Sequence, residues 1–216
     1  MLKRKIYKII KNTFVVLSIL FILLTVALHF VLKSSGIGLT VWDVYSQSLP
    51  KIDSITEEYP VEFIVKTKSY FEKQGKSQCG GYSSAYVLRC LGKNIQGKDN
   101  YEKLSYKFAN GYVLPQALIN VFHDYGYQVK MYRGNIEQLK TRLSEGRPII
   151  ALIGNGISWQ HYVTVVGYTE KDIFLYDSNK DTNSSKGYNR TMDISEFIKQ
   201  WKNGIPLFEK IYFVVE

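Results

Sequence analysis

Cysteine is scarce in this sequence, with two in 216 residues, and histidine is little commoner, with three. Cys79 and Cys90 stand eleven positions apart on one expected helix. That is about 16 Å along its axis, whereas a disulfide needs Cα atoms within about 7 Å. They cannot bridge each other while that helix is intact. The chain also lacks zinc-ligand spacing, a glycine-rich phosphate loop, a basic stripe with interleaved aromatics and any internal repeat. No metal, no cofactor and no nucleic-acid partner is therefore expected.

Acidic residues are absent from the first 33 positions. The formal charge is +9, but six of the 28 basic residues and none of the 19 acidic ones lie in residues 1–33. The remaining 22 against 19 leave only +3, so the basic character belongs to the N-terminus. Residues 14–32, FVVLSILFILLTVALHFVL, are nineteen positions without a charge. At about 1.5 Å per residue they span roughly 28 Å, close to a bilayer core of about 30 Å. Lys3, Arg4, Lys5, Lys8 and Lys11 precede the run and only Lys33 follows closely. By the positive-inside rule, residues 1–13 form a basic cytoplasmic tail and everything after the transmembrane helix lies outside the cytoplasm. A cleaved signal peptide is the rival reading. Against it, the apolar core exceeds the usual 7–15 residues and no small-x-small site follows.

Residues 33–60 hold Ser34, Ser35, Gly36, Gly38, Pro50 and Pro60 with little periodicity, and read as a stalk with some order around Val41 to Tyr45. One globular domain, residues 61–216, follows.

Chemistry concentrates in that domain. Cys79 stands in QGKSQCGG, and the next residues, YSSAYVLRCLG, place Tyr82, Ala85, Tyr86 and Leu88 on one face of a helix that Gly92 ends. Cys79 thus opens a helix, where the dipole and free N–H groups favour an anionic sulfur by about 0.3–1 kcal/mol. Gly80 and Gly81 are expected to keep the approach to the sulfur uncrowded. A free thiol is only a few per cent ionised at neutral pH, so nucleophilic catalysis also calls for a base.

Of the three histidines, His29 falls in the apolar run and His123 near the end of an expected helix starting at Pro115. His161 instead opens HYVTVVGY, a β-branched and aromatic run, and is expected at the first position of a strand with its ring at the sheet rim. PIIALIG (148–154) precedes it and DIFLYD (172–177) follows, with a turn at Thr169, Glu170 and Lys171. An antiparallel hairpin brings Asp177 beside His161, from where a carboxylate fixes the imidazole tautomer and supports its charge. Gln74, five residues before Cys79, is a candidate oxyanion donor, a role worth roughly 2.7–4 kcal/mol. Cys90, between leucines, reads as a small core residue.

Together these residues resemble the papain-like cysteine peptidases, most closely the bacteriocin-leader-processing (double-glycine) branch and its stand-alone membrane-anchored relatives, over roughly residues 61–216. The resemblance implies a glutamine donor at Gln74, although Gln78, immediately before the cysteine, is an alternative. It implies an α+β papain-like fold, with the nucleophile helix packed on an antiparallel sheet. Asp177-Ser178-Asn179 is similar to the Asn-Ser-Trp of some relatives but lacks the tryptophan that shields the pair.

The remaining periodicity fits that class. A short helix near 100–109, a strand at 127–132, a helix in IEQLKTRLSEG, an amphipathic helix at 194–202 and a final strand FEKIYFVV are expected, with a polar loop at 178–190 bordering a cleft. The functional reading is a membrane-anchored, outward-facing cysteine peptidase or amidase acting on a peptide or protein substrate through Cys79, His161, Asp177 and Gln74. Acyl transfer to another acceptor, or a binding domain that has lost the chemistry, are the alternatives. Cleavage of a double-glycine leader fits poorly, because the resembling transporters do this on the cytoplasmic side and this chain has no nucleotide-binding motif.

Overall fold

The computed structural model of the protein describes residues 2–34, 36–66 and 69–216. Ser35 and the Lys3 side chain, both used above, lie outside the described set. The chain divides into two compact units: residues up to 47 with 108–110, and residues 48–107 with 111–216.

In the first unit, helix α1 runs over Leu2–Ser34, past both ends of the apolar stretch. No proline or glycine interrupts these residues, so nothing breaks the helix within Leu2–Ser34. Its apolar side chains are exposed along its length, Phe14, Leu17 and Leu24 among them. By length and composition this is a helix able to cross a membrane. One of its interior polar groups is satisfied locally, with Thr25 Oγ1 donating to the Phe21 carbonyl at 2.8 Å. Gly36 and Gly38 adopt φ of 62° and 78°, left-handed values that cost glycine nothing, and turn the chain back. Helix α2, Val41–Tyr45, follows under a Thr40–Asp43 capping box. The Tyr45 ring then lies 6.3 Å from that of Phe21.

The second unit is a sheet with helices on both faces. Its strands are β1 (Lys51–Ile52), β2 (Phe63–Ile64), β3 (Val129–Arg133), β4 (Ile149–Asn155), β5 (Trp159–Tyr168), β6 (Asp172–Tyr176), β7 (Arg190–Asp193) and β8 (Ile211–Val215). They are ordered β1-β3-β8-β4-β5-β6-β7, with β2 against β5. Every pairing is antiparallel except β1 with β3, so the sheet is mixed at one edge. The helices are α3 (Cys79–Cys90), α4 (Gly97–Lys103), α5 (Pro115–Asp124), α6 (Ile136–Ser144) and α7 (Ile194–Trp201).

Strand β4 shows why its residues are apolar throughout. Ile150 and Leu152 join one core with Leu118, Phe122 and Phe213, while Ile149, Ala151 and Ile153 join the other with Leu139, Phe197 and Trp201. A strand buried on both faces cannot alternate with polar residues.

Several elements differ from expectation. The helix expected at 100–109 runs instead over Gly97–Lys103 and ends where Leu104 turns extended, at φ −64° and ψ 134°; Tyr106, at φ 52°, keeps the chain from resuming it. The last strand starts at Ile211 because Lys210 takes φ 52°. The segment before residue 60 is partly built into the second unit. Asp53 is buried there, receives Arg142 Nε and Nη2 at 3.0 Å each, and also accepts from Tyr212 Oη. Finally, α3 buries residues 79–88 on all sides rather than one face. Its two glycines serve packing, not access to the sulfur. A Cβ on Gly81 would lie 2.5 Å from Tyr101 Cα, and one on Gly80 would lie 2.7 Å from Val113 Cγ2.

Candidate active site

Cys79 is the first residue of α3, preceded by Gln78, whose side chain makes no capping bond to the helix. The first backbone N–H groups of the helix are therefore left without a side-chain cap beside the sulfur. The loop that delivers Cys79 is held in place. Arg89 pairs with Glu72, Tyr176 Oη donates to the Glu72 carbonyl at 2.9 Å, and Ser77 takes a left-handed φ of 60° unusual for a non-glycine residue.

His161 is the third residue of β5, not the first, and its ring is buried at 2% exposure rather than standing out at the rim. Asp177 lies one residue beyond β6 and is 1% exposed. Thr164 is paired with Tyr176. Continued by one residue, that register sets Asp177 opposite Val163, and His161 becomes its diagonal neighbour on the same side. His161 Nε2 meets Asp177 Oδ1 at 2.8 Å. Cys79 and His161 line the same cleft, and the sulfur is near enough to the ring to favour its charged form. With Nε2 engaged by the carboxylate, Nδ1 is the nitrogen left for the sulfur. The structure thus brings Cys79 and His161 to one cleft and pairs His161 with Asp177 behind it. His123 sits elsewhere, exposed at the end of α5 with Nε2 3.2 Å from Gln128 Oε1.

The electrostatics follow from burial and pairing. Burial of His161 opposes its charge, but the hydrogen bond to Asp177 and the nearby Cys79 sulfur outweigh it and push the imidazole up to about 9. Burial likewise opposes ionisation of Asp177. Its bonds to His161, to the Asn179 backbone N–H and to Arg190 overcome that and hold it well below the usual carboxylate range. For Cys90, burial pushes the thiol up to about 11 against a smaller opposing pull from Arg89.

The two glutamines are placed differently. Gln74 lines an open cleft of about 380 Å³ together with Cys79, His161, Tyr112, Trp159 and Asn179. Its Oε1 accepts from Ser178 Oγ at 2.5 Å, and its Nε2 donates to the Gly75 carbonyl at 3.1 Å, which leaves one amide hydrogen. Gln78 turns its Oε1 to the Gly75 N–H at 3.0 Å and bonds within the loop.

Four partners escaped the sequence reading. Trp159 lies 5.9 Å from the His161 ring, an aromatic neighbour where the Asn-Ser-Trp pattern lacked one. Arg190 Nη1 meets Asp177 Oδ2 at 2.8 Å. Asn189 bonds the Asp177 backbone in both directions, and Ser178 fixes Gln74. Arg190 opens β7, whose pairing with β6 sets it opposite Leu175, whereas the sequence places it at the end of a polar loop. Among the described residues, no group of three or more His, Cys, Asp or Glu side chains is arranged to hold a metal.

The Peptidase_C39 like family profile matches residues 60–204. Solved structures share the fold at low identity. A double-glycine motif protease from an AMS/PCAT transporter, in complex with the leader peptide, is 20% identical over 74% of this chain and 98% of its own, with a TM-score of 0.51. A C39-like peptidase from Bacillus anthracis is 12% identical over 74% and 98%, at 0.56. A cysteine protease of Carica candamarcensis, in complex with E-64, is 13% identical over 72% and 98%, at 0.54. No curated protein matches.

Proposed function

The chain belongs to the Peptidase_C39 like family, and from that premise we propose that it is a cysteine peptidase working through Cys79, His161 and Asp177. The observation that carries this reading is the buried His161–Asp177 pair at 2.8 Å, whose ring shares one cleft with Cys79 at the head of α3. In the proposed reaction the Cys79 proton passes to His161 Nδ1 and Sγ attacks the peptide carbonyl carbon. The carbonyl oxygen becomes an oxyanion, bound by the Cys79 backbone N–H and the remaining amide hydrogen of Gln74. The imidazolium returns its proton to the leaving amine as the C–N bond breaks, which leaves a thioester on Cys79. His161 then takes a proton from water, which attacks the thioester; the sulfur leaves and recovers a proton. Asp177 holds the ring tautomer throughout.

The proposal extends to place. Helix α1 anchors the chain in the cell membrane in a single pass, with the basic N-terminus in the cytoplasm and the catalytic domain outside. The apolar, exposed surface of α1 and the cluster of lysine and arginine before it support this reading. The substrate is then a peptide or protein met outside the cytoplasm. The test compares new peptide termini in cells expressing the native chain and its Cys79→Ser variant. Termini that depend on Cys79 are expected; identical patterns at equal expression contradict peptidase action.

A further inference from the structure

We propose that Arg190 is a positioning residue for the proton relay: it fixes the second oxygen of Asp177 and offsets part of that carboxylate's charge, so that the His161 imidazolium is supported without being locked. The inference rests on the peptidase reading above and concerns a residue outside its three-member relay.

The division of labour on Asp177 is clear from the contacts. Oδ1 receives His161 Nε2 at 2.8 Å and the Asn179 backbone N–H at 2.9 Å, while Oδ2 receives Arg190 Nη1 at 2.8 Å. Without the last bond, nothing would distinguish the two oxygens except the bonds on one of them, and the carboxylate could turn. The residue before Arg190 adds a second grip. Asn189 accepts from the Asp177 N–H at 2.8 Å and donates to the Asp177 carbonyl at 2.9 Å. The head of β7 thus holds both the main chain and the side chain of a single residue.

Charge gives the arrangement a chemical purpose. A buried carboxylate with no counter-charge would hold an adjacent imidazolium so firmly that it becomes a poor acid, and the leaving amine needs its proton. Arginine stays charged at any working pH and, at 2.8 Å, takes up part of the negative charge. The other titratable groups facing His161 are Cys79 at the head of α3, and Lys76 and Tyr112, which line the same cleft. Arg190 reaches Asp177 Oδ2 while His161 holds Oδ1, so Arg190 acts on His161 through Asp177.

The test is a titration of the three histidine rings by NMR, on full-length protein in detergent micelles with ¹⁵N-labelled imidazole. His161 is assigned by loss of its signal in His161→Ala. Arg190→Gln is expected to raise the His161 midpoint by about half a unit, and Arg190→Lys, which keeps the charge, to leave it at the native value. An unchanged or lowered midpoint in folded Arg190→Gln overturns the proposal. Should that variant fail to fold, Arg190→Met replaces it: a raised midpoint upholds the proposal, and an unchanged or lowered one overturns it. The peptidase reading fails separately: the native His161 midpoint would then not respond to Cys79→Ala, a result obtained without touching Arg190.

Discussion

Ser178 Oγ donates to Gln74 Oε1 at 2.5 Å, joining the residue after Asp177 to the loop before Cys79. The Gln74 backbone N–H also reaches the Ser178 carbonyl, at 2.9 Å. With its oxygen so held, the Gln74 amide turns its nitrogen end away from Ser178 in one orientation. This bond makes the proposed oxyanion donor a fixed one.

Removing that donor should slow acylation without disabling the thiol. Gln74→Ala is expected to lower turnover of a Cys79-dependent peptide by roughly 10²-fold, as loss of one preorganised donor does. Ser178→Ala, which only loosens the amide, should cost less. Alkylation of Cys79 by iodoacetamide should stay near the native rate in both, because no oxyanion forms in that reaction. A parallel loss of alkylation would assign Gln74 to the loop rather than to the carbonyl.

Asp177 should control the ionisation of His161. In Asp177→Asn the upward pull of the carboxylate is gone while burial still disfavours the charge and only Cys79 is left to support it, so the His161 midpoint should fall below about 9. The stability consequence has a definite sign. His161 is raised on folding, so its contribution is complete below 6.5 and is lost as pH rises through about 9. Asp177 is depressed, so its contribution is present above 3.8 and is lost as pH falls below that. Melting temperature against pH should therefore show a plateau between those two limits, and Asp177→Asn should flatten both flanks.

Gly81→Ala should damage the nucleophile helix although alanine is the better helix former. The added Cβ would meet Tyr101 backbone at 2.5 Å, where neither partner is a flexible side-chain end, so α3 must move from α4. A loss of about 3 kcal/mol is expected, with reduced Cys79 reactivity. Gly92→Ala is the control. Its site is open but its φ is 85°, so the cost should be near 1 kcal/mol and Cys79 unaffected. Thermal melting of both variants decides this; equal losses would mean that Gly81 is not a packing contact.

How much of this was legible depended on rarity and length. Cys79, His161 and Asp177 stood out because the chain has few cysteines and histidines, and each falls at an end of a strongly patterned element. Strands β4, β5 and β6 carry long apolar or β-branched runs and read clearly. The two-residue strands β1 and β2 carry no period at all, so the segment around Asp53 read as stalk although it pairs with β3 and buries a carboxylate. Arg190 and Ser178 were hidden for another reason. Each is an ordinary polar residue beside a polar loop, and only the β6–β7 ladder and the fold of the loop bring them to the site. Gly80 and Gly81 read as space for the sulfur because a sequence does not show which neighbour a missing side chain admits.

The most direct measurement compares alkylation of the two cysteines in the folded, full-length chain at neutral pH, by mass spectrometry after limited iodoacetamide treatment. Exposure alone favours Cys90, which is partly accessible, over Cys79, which is 4% exposed. The relay predicts the reverse: Cys79 modified at least tenfold faster, with that advantage lost in His161→Ala and on unfolding. Equal labelling of the two, or faster labelling of Cys90, would contradict the account.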